Sequence, residues 1–151
     1  VHRIASVSRE QYDRLVEIWE ASVRATHAFL GESDIAFLRP KIRHEYLQAV
    51  ALRAYEDDRG FLLGFVGVHD GNVEMLFVAP ENRGSGVGAA LLRHAVEQLG
   101  ATSVDVNEQN PQAIGFYERM GFRPVGRSPI DGQGKPFPLI HMALAPPTGG
   151  D

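Results

Sequence analysis

From Ser8 onward, Tyr12, Leu15, Val16, Trp19 and Val23 recur at helical spacing, which predicts an amphipathic helix running to about Thr26. Ser8 with Gln11 three residues on forms a capping box that opens it, behind a short strand-like start at Ile4–Val7. A second helix is expected after Ser33 or Asp34, on Ile35, Leu38, Ile42 and Tyr46. Pro40 should kink or restart it, because proline has no N–H to donate to the preceding turn. The period then shortens. Ala49–Tyr55, Phe61–His69 and Val73–Val78 read as three antiparallel strands, separated by the turns Asp57-Asp58-Arg59-Gly60 and Asp70-Gly71-Asn72.

From Arg83 the pattern alternates between helix and strand. Val87, Leu91, Leu92, Ala95, Val96 and Leu99 form the buried stripe of a helix that ends at Gly100, a natural left-handed cap. Strand Ser103–Val106 follows. Asn110 caps and Pro111 opens a shorter helix carrying Ala113, Phe116, Tyr117 and Met120 on one face, closed by Gly121. Strands near Arg123–Arg127 and Leu139–Leu144 bracket a loop over residues 129–138. The elements fit a mixed α/β fold.

At 151 residues the chain is expected to be a single domain over 1–145, with 146–151 as a disordered tail. Its composition, 44% hydrophobic and 23% charged, is that of an ordinary globular protein. The longest apolar run, Phe61–Val68, falls far short of the roughly 20 residues a membrane span needs, and the N-terminus lacks the regions of a signal peptide. These features point to a cytoplasmic protein with no membrane partner. Cysteine is absent, which excludes disulfides, thiolate metal sites and a cysteine nucleophile together. The net charge of −4 is spread over both halves of the chain and argues against a nucleic-acid partner. His2, His27, His44, His69, His94 and His141 are scattered without ligand spacing, so no metal is expected.

The chemistry concentrates at Arg83-Gly84-Ser85-Gly86-Val87-Gly88-Ala89, between a hydrophobic strand and an amphipathic helix. Amides at a helix N-terminus have no intrahelical acceptor, glycines permit close approach, and Arg83 adds positive charge, which together describe a phosphate cradle. A dinucleotide fingerprint, Gly84-x-Gly86-x-x-Ala89, is present in letters but not in context. Residues 79–83 separate the strand from the first glycine, and too little chain follows for a second nucleotide-binding half. No Gly-Lys-Ser or Gly-Lys-Thr follows, which excludes a P-loop.

Arg83-x-x-Gly86-x-Gly88 resembles the acetyl-CoA motif of the GNAT family of N-acetyltransferases. The similarity extends upstream through residues 74–82 and downstream through residues 107–117 to Gly121-Phe122. Residues 22–30 and 134–142 are similar to a branch of small bacterial members described as peptidyl-lysine acetyltransferases. The resemblance implies a GNAT-like fold with a mostly antiparallel sheet, a splayed parallel pair of strands and about four flanking helices. It also implies acetyl-CoA as cosubstrate and a bulge near Phe77 or Val78, leaving the amides of Leu76, Phe77 and Val78 to bond the pantetheine arm.

Direct acetyl transfer to an amine needs a neutral nucleophile, stabilisation of the growing oxyanion and a proton for the departing thiolate. Tyr117 matches the family tyrosine facing the sulfur and is assigned the general-acid role, although its position alone describes a core residue. Glu74, a carboxylate in an apolar strand, is the leading base, with a solvated strand-end glutamate as the alternative. His27 is the second candidate base or an acceptor-site residue, with Phe29 beside it in the branch-like segment; His141 is a third residue expected at the acceptor cleft. Asn107 and Asn110 can bond the amide-containing cofactor arm. The acceptor is expected to be a primary amine, either a protein lysine or a small amine. A non-catalytic acyl-CoA-binding or sensor module is the alternative function, and a homodimer is compatible with the sequence.

Overall fold

The computed structural model describes residues 2–132 and 134–145, and the chain divides into two compact units, Val1–Ala101 and Thr102–Asp151. The expected tail at 146–151 lies outside the described residues.

In the first unit, β1 (Arg3–Ser6), β2 (Ala51–Glu56), β3 (Leu62–His69) and β4 (Asn72–Val78) pair antiparallel in chain order. Helix α1 (Tyr12–Thr26) buries Tyr12, Leu15, Ile18, Trp19 and Val23 in a core shared with Leu47, Phe65 and Met75. Burying each such leucine or aromatic ring stabilises the fold by roughly 1.5–3 kcal/mol. Gln11 Oε1 accepts the Ser8 N–H at 3.0 Å, the expected capping contact, although a single 3-10 turn (Arg9–Gln11) precedes α1.

The second helix starts earlier than its pattern suggests. Gly31 is the cap residue of α2 (Glu32–Lys41), and Asp34 Oδ2 accepts its N–H at 2.9 Å. Pro40 does not break α2. The backbone instead widens into a π turn over Ile42–Tyr46, directly after the position where proline removes a ladder donor.

Helix α3 (Val87–Gln98) buries Val87, Leu91, Leu92 and Ala95. Its first turn approaches β3 at Gly64, where an added Cβ would lie 2.9 Å from the Phe77 carbonyl and 3.1 Å from Val87. Only a residue without a side chain lets the start of α3 sit this close to the sheet.

The second unit holds β5 (Ser103–Asn107), α4 (Pro111–Arg119), β6 (Phe122–Ser128) and β7 (Leu139–Leu144). Strand β7 pairs antiparallel with both β5 and β6, so it is the middle strand of the three. Asn110 caps α4 as expected, its Oδ1 accepting the Ala113 N–H at 3.2 Å. The β6–β7 register breaks between Pro124 and Gly126, leaving Val125 as an extra, exposed residue.

Candidate active site

In the first unit β4 leads through a short 3-10 turn (Pro80–Asn82) into the glycine-rich segment. Gly84 and Gly86 take φ of 78° and 88°, and an added Cβ at either would meet nothing within 4 Å. The glycines are therefore required by the left-handed turn, and open space lies beside them. Ser85 Oγ donates to the Asn82 carbonyl and closes the turn. The Ala90 N–H gives the first helical bond, to the Gly86 carbonyl at 3.0 Å. The amides of Val87, Gly88 and Ala89 precede it at the positive end of α3. With the guanidinium of Arg83 these features fit a diphosphate.

The expected bulge at Phe77 or Val78 is corrected by the register. The β3–β4 ladder runs regularly from Gly64↔Val78 to Gly67↔Met75 and breaks next to Glu74, between Gly67↔Met75 and Val68↔Val73. Ala79 N–H donates to Leu63 O at 2.8 Å. Antiparallel alternation then commits the Phe77 amide to Phe65 and turns the amides of Leu76 and Val78 away from β3. Two of the three backbone candidates thus face the edge of β4 remote from β3, at positions where the β3–β4 ladder is regular. The Phe77 ring packs against Phe65, with centroids 5.8 Å apart. Glu74 sits at the actual bulge, exposed, and accepts a bond from Asn72 Nδ2.

His27 follows the last residue of α1 and is partly buried, its ring 5.2 Å from that of Phe29. Thr26 Oγ1 spends its one proton on the Ser22 carbonyl at 2.8 Å, so at its 2.7 Å contact with His27 Nδ1 it accepts. The network assigns the proton of the neutral ring to Nδ1 and the lone pair to Nε2. Burial holds the imidazole below its ordinary pKa, so it is neutral at pH 7. Exposed ion pairs tie the connection down on either side: Arg24 bonds Glu20 and Glu32, each at 3.0 Å, and Arg39 bonds Glu20 at 2.7 Å.

In the second unit Tyr117 is buried on α4, edge-on to Phe116 and Phe122 at 5.1 and 5.8 Å between centroids. Burial pushes its phenol above the ordinary range, so it carries its proton throughout the neutral region. Asn107 Oδ1 accepts the Gln109 N–H at 3.0 Å, a local turn contact like that of Asn110. His141 bridges Asp105 and Ser128, a pair of partners that the sequence pattern does not reveal.

Among the described residues, no group of three or more His, Asp or Glu side chains could hold a metal ion, and no helix is long and apolar enough to cross a membrane.

A family model described as an acetyltransferase (GNAT) domain matches residues 48–124. The chain is 38% identical over 133 residues to the peptidyl-lysine N-acetyltransferase YjaB of Salmonella typhimurium, covering 88% of this chain and 91% of that protein. The solution structure of apo YjaB from Escherichia coli superposes with a TM-score of 0.87 at 36% identity, covering 97% of this chain and 99% of that one. The PaiA N-acetyltransferase of Thermoplasma acidophilum, solved in complex with coenzyme A, shares the fold at 22% identity, with a TM-score of 0.75 over 96% of this chain and 99% of its own. The expected mixed α/β fold is borne out.

Proposed function

The chain belongs to the GNAT family of acetyltransferases and is an acetyl-CoA-dependent N-acetyltransferase, and from that premise we propose that its acceptor is the side-chain amine of a protein lysine. The observation that carries this acceptor is the 38% identity, over nearly the whole chain, to a protein named for peptidyl-lysine acetylation. We place the reaction in the cytoplasm.

Acetyl-CoA supplies an acetyl group activated as a thioester. The residues of the chain bind, orient and move protons around it. Arg83 and the segment Gly84, Ser85, Gly86, Val87, Gly88 and Ala89 hold the diphosphate through amides and one guanidinium. The outward amides of Leu76 and Val78 bond the pantetheine arm and polarise the carbonyl to be attacked. Asn107 and Asn110 use their side-chain oxygens in local contacts and offer Nδ2 donors to the same arm. Tyr117 gives its proton to the departing thiolate, a role supported by the burial that keeps the phenol un-ionised.

On the acceptor side His27, Phe29 and His141 are the proposed contacts. A lysine arrives mostly as ammonium, so a base must take a proton before attack. His27 Nε2 is favoured for this by the Ser22–Thr26 chain, which fixes a neutral ring with its lone pair on that atom. Glu74, an exposed carboxyl group, is the competing base and otherwise a contact for the lysine amine.

The test measures free thiol released from acetyl-CoA with lysine peptides and small amines, each against a blank without acceptor. Turnover is expected with lysine peptides and to exceed that with free amines. Turnover confined to small amines refutes the protein-lysine reading.

A further inference from the structure

Ser128 Oγ lies 2.6 Å from His141 Nε2, and His141 Nδ1 lies 2.6 Å from Asp105 Oδ1. An ionised carboxylate can only accept, so Asp105 fixes the ring proton on Nδ1. In the tautomer with its proton on Nδ1, the ring presents the Nε2 lone pair to the Ser128 hydroxyl, which donates. This is the connectivity of a nucleophile, a base and an orienting acid, and such sets are recognised by geometry rather than by sequence order. Each residue comes from a different strand of one small sheet.

The register builds the cluster. Asp105 pairs directly with His141, and His141 pairs on its other side with Gly126. Pro124 pairs with Met142, so without the extra residue Val125 would oppose His141, and Ser128 would fall on the opposite face of the sheet. The bulge at Val125 reverses that parity and brings Ser128 onto the face of His141. Gly126 lies directly beside the ring: an added Cβ would sit 3.5 Å from His141 Cδ2, in ordinary van der Waals contact. The nearby Arg127 is paired with Glu108 at 2.6 and 3.0 Å. The side chains of His141 and Asp105 are 36% and 42% exposed, so a small reagent can reach the site.

We propose that Ser128 is an activated nucleophile that takes acyl groups from small activated esters and thioesters, a second acyl-transfer site beyond the transfer to amines. Ser128 Oγ forms a bond to the acyl carbon while the bond to the leaving oxygen or sulfur breaks. The hydroxyl proton passes to His141 Nε2 and from there to the leaving group, and Asp105 stays ionised. Water then attacks the acyl-serine with its proton taken by the same nitrogen, releasing the carboxylic acid and restoring Ser128. The proposal is independent of the identity of the amine acceptor.

The test treats the whole protein with p-nitrophenyl acetate and, separately, with a fluorophosphonate, reading p-nitrophenol release and the mass of the labelled peptide. One adduct per chain is expected, on Ser128. It should be absent in Ser128→Ala, which keeps amine acetylation, and form about 10²-fold or more slowly in Asp105→Asn and His141→Ala. Asp105→Ala, which removes the carboxylate without adding a competing amide at this exposed position, should slow labelling likewise and provides the readout if Asp105→Asn fails to fold. Absence of a Ser128 adduct in the wild-type protein, equal labelling of Ser128→Ala, or wild-type labelling rates in folded Asp105→Asn overturns the proposal.

Discussion

Gly86 and Gly60 make a matched pair from which the cofactor cradle can be tested apart from the fold. Both are exposed, with φ of 88° and 83°, and neither has an atom within 4 Å of an added Cβ. Alanine at either position therefore meets no clash and pays only for left-handed backbone, about 1–2 kcal/mol. For a chain of this length each kcal/mol lowers Tm by roughly 2–4 °C, so both variants should melt about 2–8 °C below wild type. Their affinities for coenzyme A should diverge. At Gly86 the methyl group enters the space assigned to the diphosphate and displaces it from one or two amides, each charge-assisted bond being worth roughly 1.5–3 kcal/mol. Gly86→Ala should bind at least about tenfold more weakly by calorimetry, while Gly60→Ala, in the turn after Asp57, should bind as wild type. Equal affinities in the two folded variants would refute the assignment of the cradle.

Tyr117→Phe should keep coenzyme A affinity and lose about 10²-fold or more in kcat, since only the donor proton is removed; wild-type turnover would return Tyr117 to the core. His27→Gln should lose rate mainly near neutral pH and recover as alkali supplies neutral lysine, whereas Glu74→Gln should raise KM for cationic peptides with little change in the pH–rate profile. The reverse pattern makes Glu74 the base. Stability should fall on mild acidification, because burial lowers the pKa of His27, as it does for His94 beside Arg53. The unfolded chain then takes up protons first, near 6.5, so the stability these rings contribute is present above that value and lost as pH falls through it towards their folded pKa values. Urea midpoints at pH 7.5 and 5.5 should differ less in His27→Gln and His94→Gln than in wild type; an unchanged difference would remove these rings as the cause.

What was legible in the sequence is what a local signal specifies. The stripe Tyr12 to Val23, the Gly100 and Gly121 terminators and the Asn110-Pro111 start each act within a few residues and appear in the structure within a residue or two of expectation. The path after Pro40 was not legible, because a missing donor permits either a break or a wider turn. Nor were the bulges. Alternation along a strand reads the same whether one residue is extra or not, so the slip next to Glu74 and the one at Val125 appear only in the pairing. The cluster of Asp105, Ser128 and His141 depends on the second slip and was missed for that reason. Its one signal lay in Pro124 and Gly126 flanking Val125, two residues poorly suited to a regular strand interior.

The two proposed proton-handling roles rest on a single physical cause. Loss of water disfavours whichever form of a group is charged. For the phenol of Tyr117 the charged form is the deprotonated one, so burial against Phe116 and Phe122 keeps the proton on. For the imidazole of His27 the charged form is the protonated one, so burial beside Phe29 keeps the proton off. An acid that holds its proton and a base that lacks one are thereby both present at pH 7, each through desolvation. The hydrophobic neighbours of these rings consequently belong to the proposed chemistry. Replacing Phe29 or Phe122 by a smaller residue would admit water, move the corresponding pKa back towards its ordinary value and alter the pH–rate profile without removing a proton-transfer group.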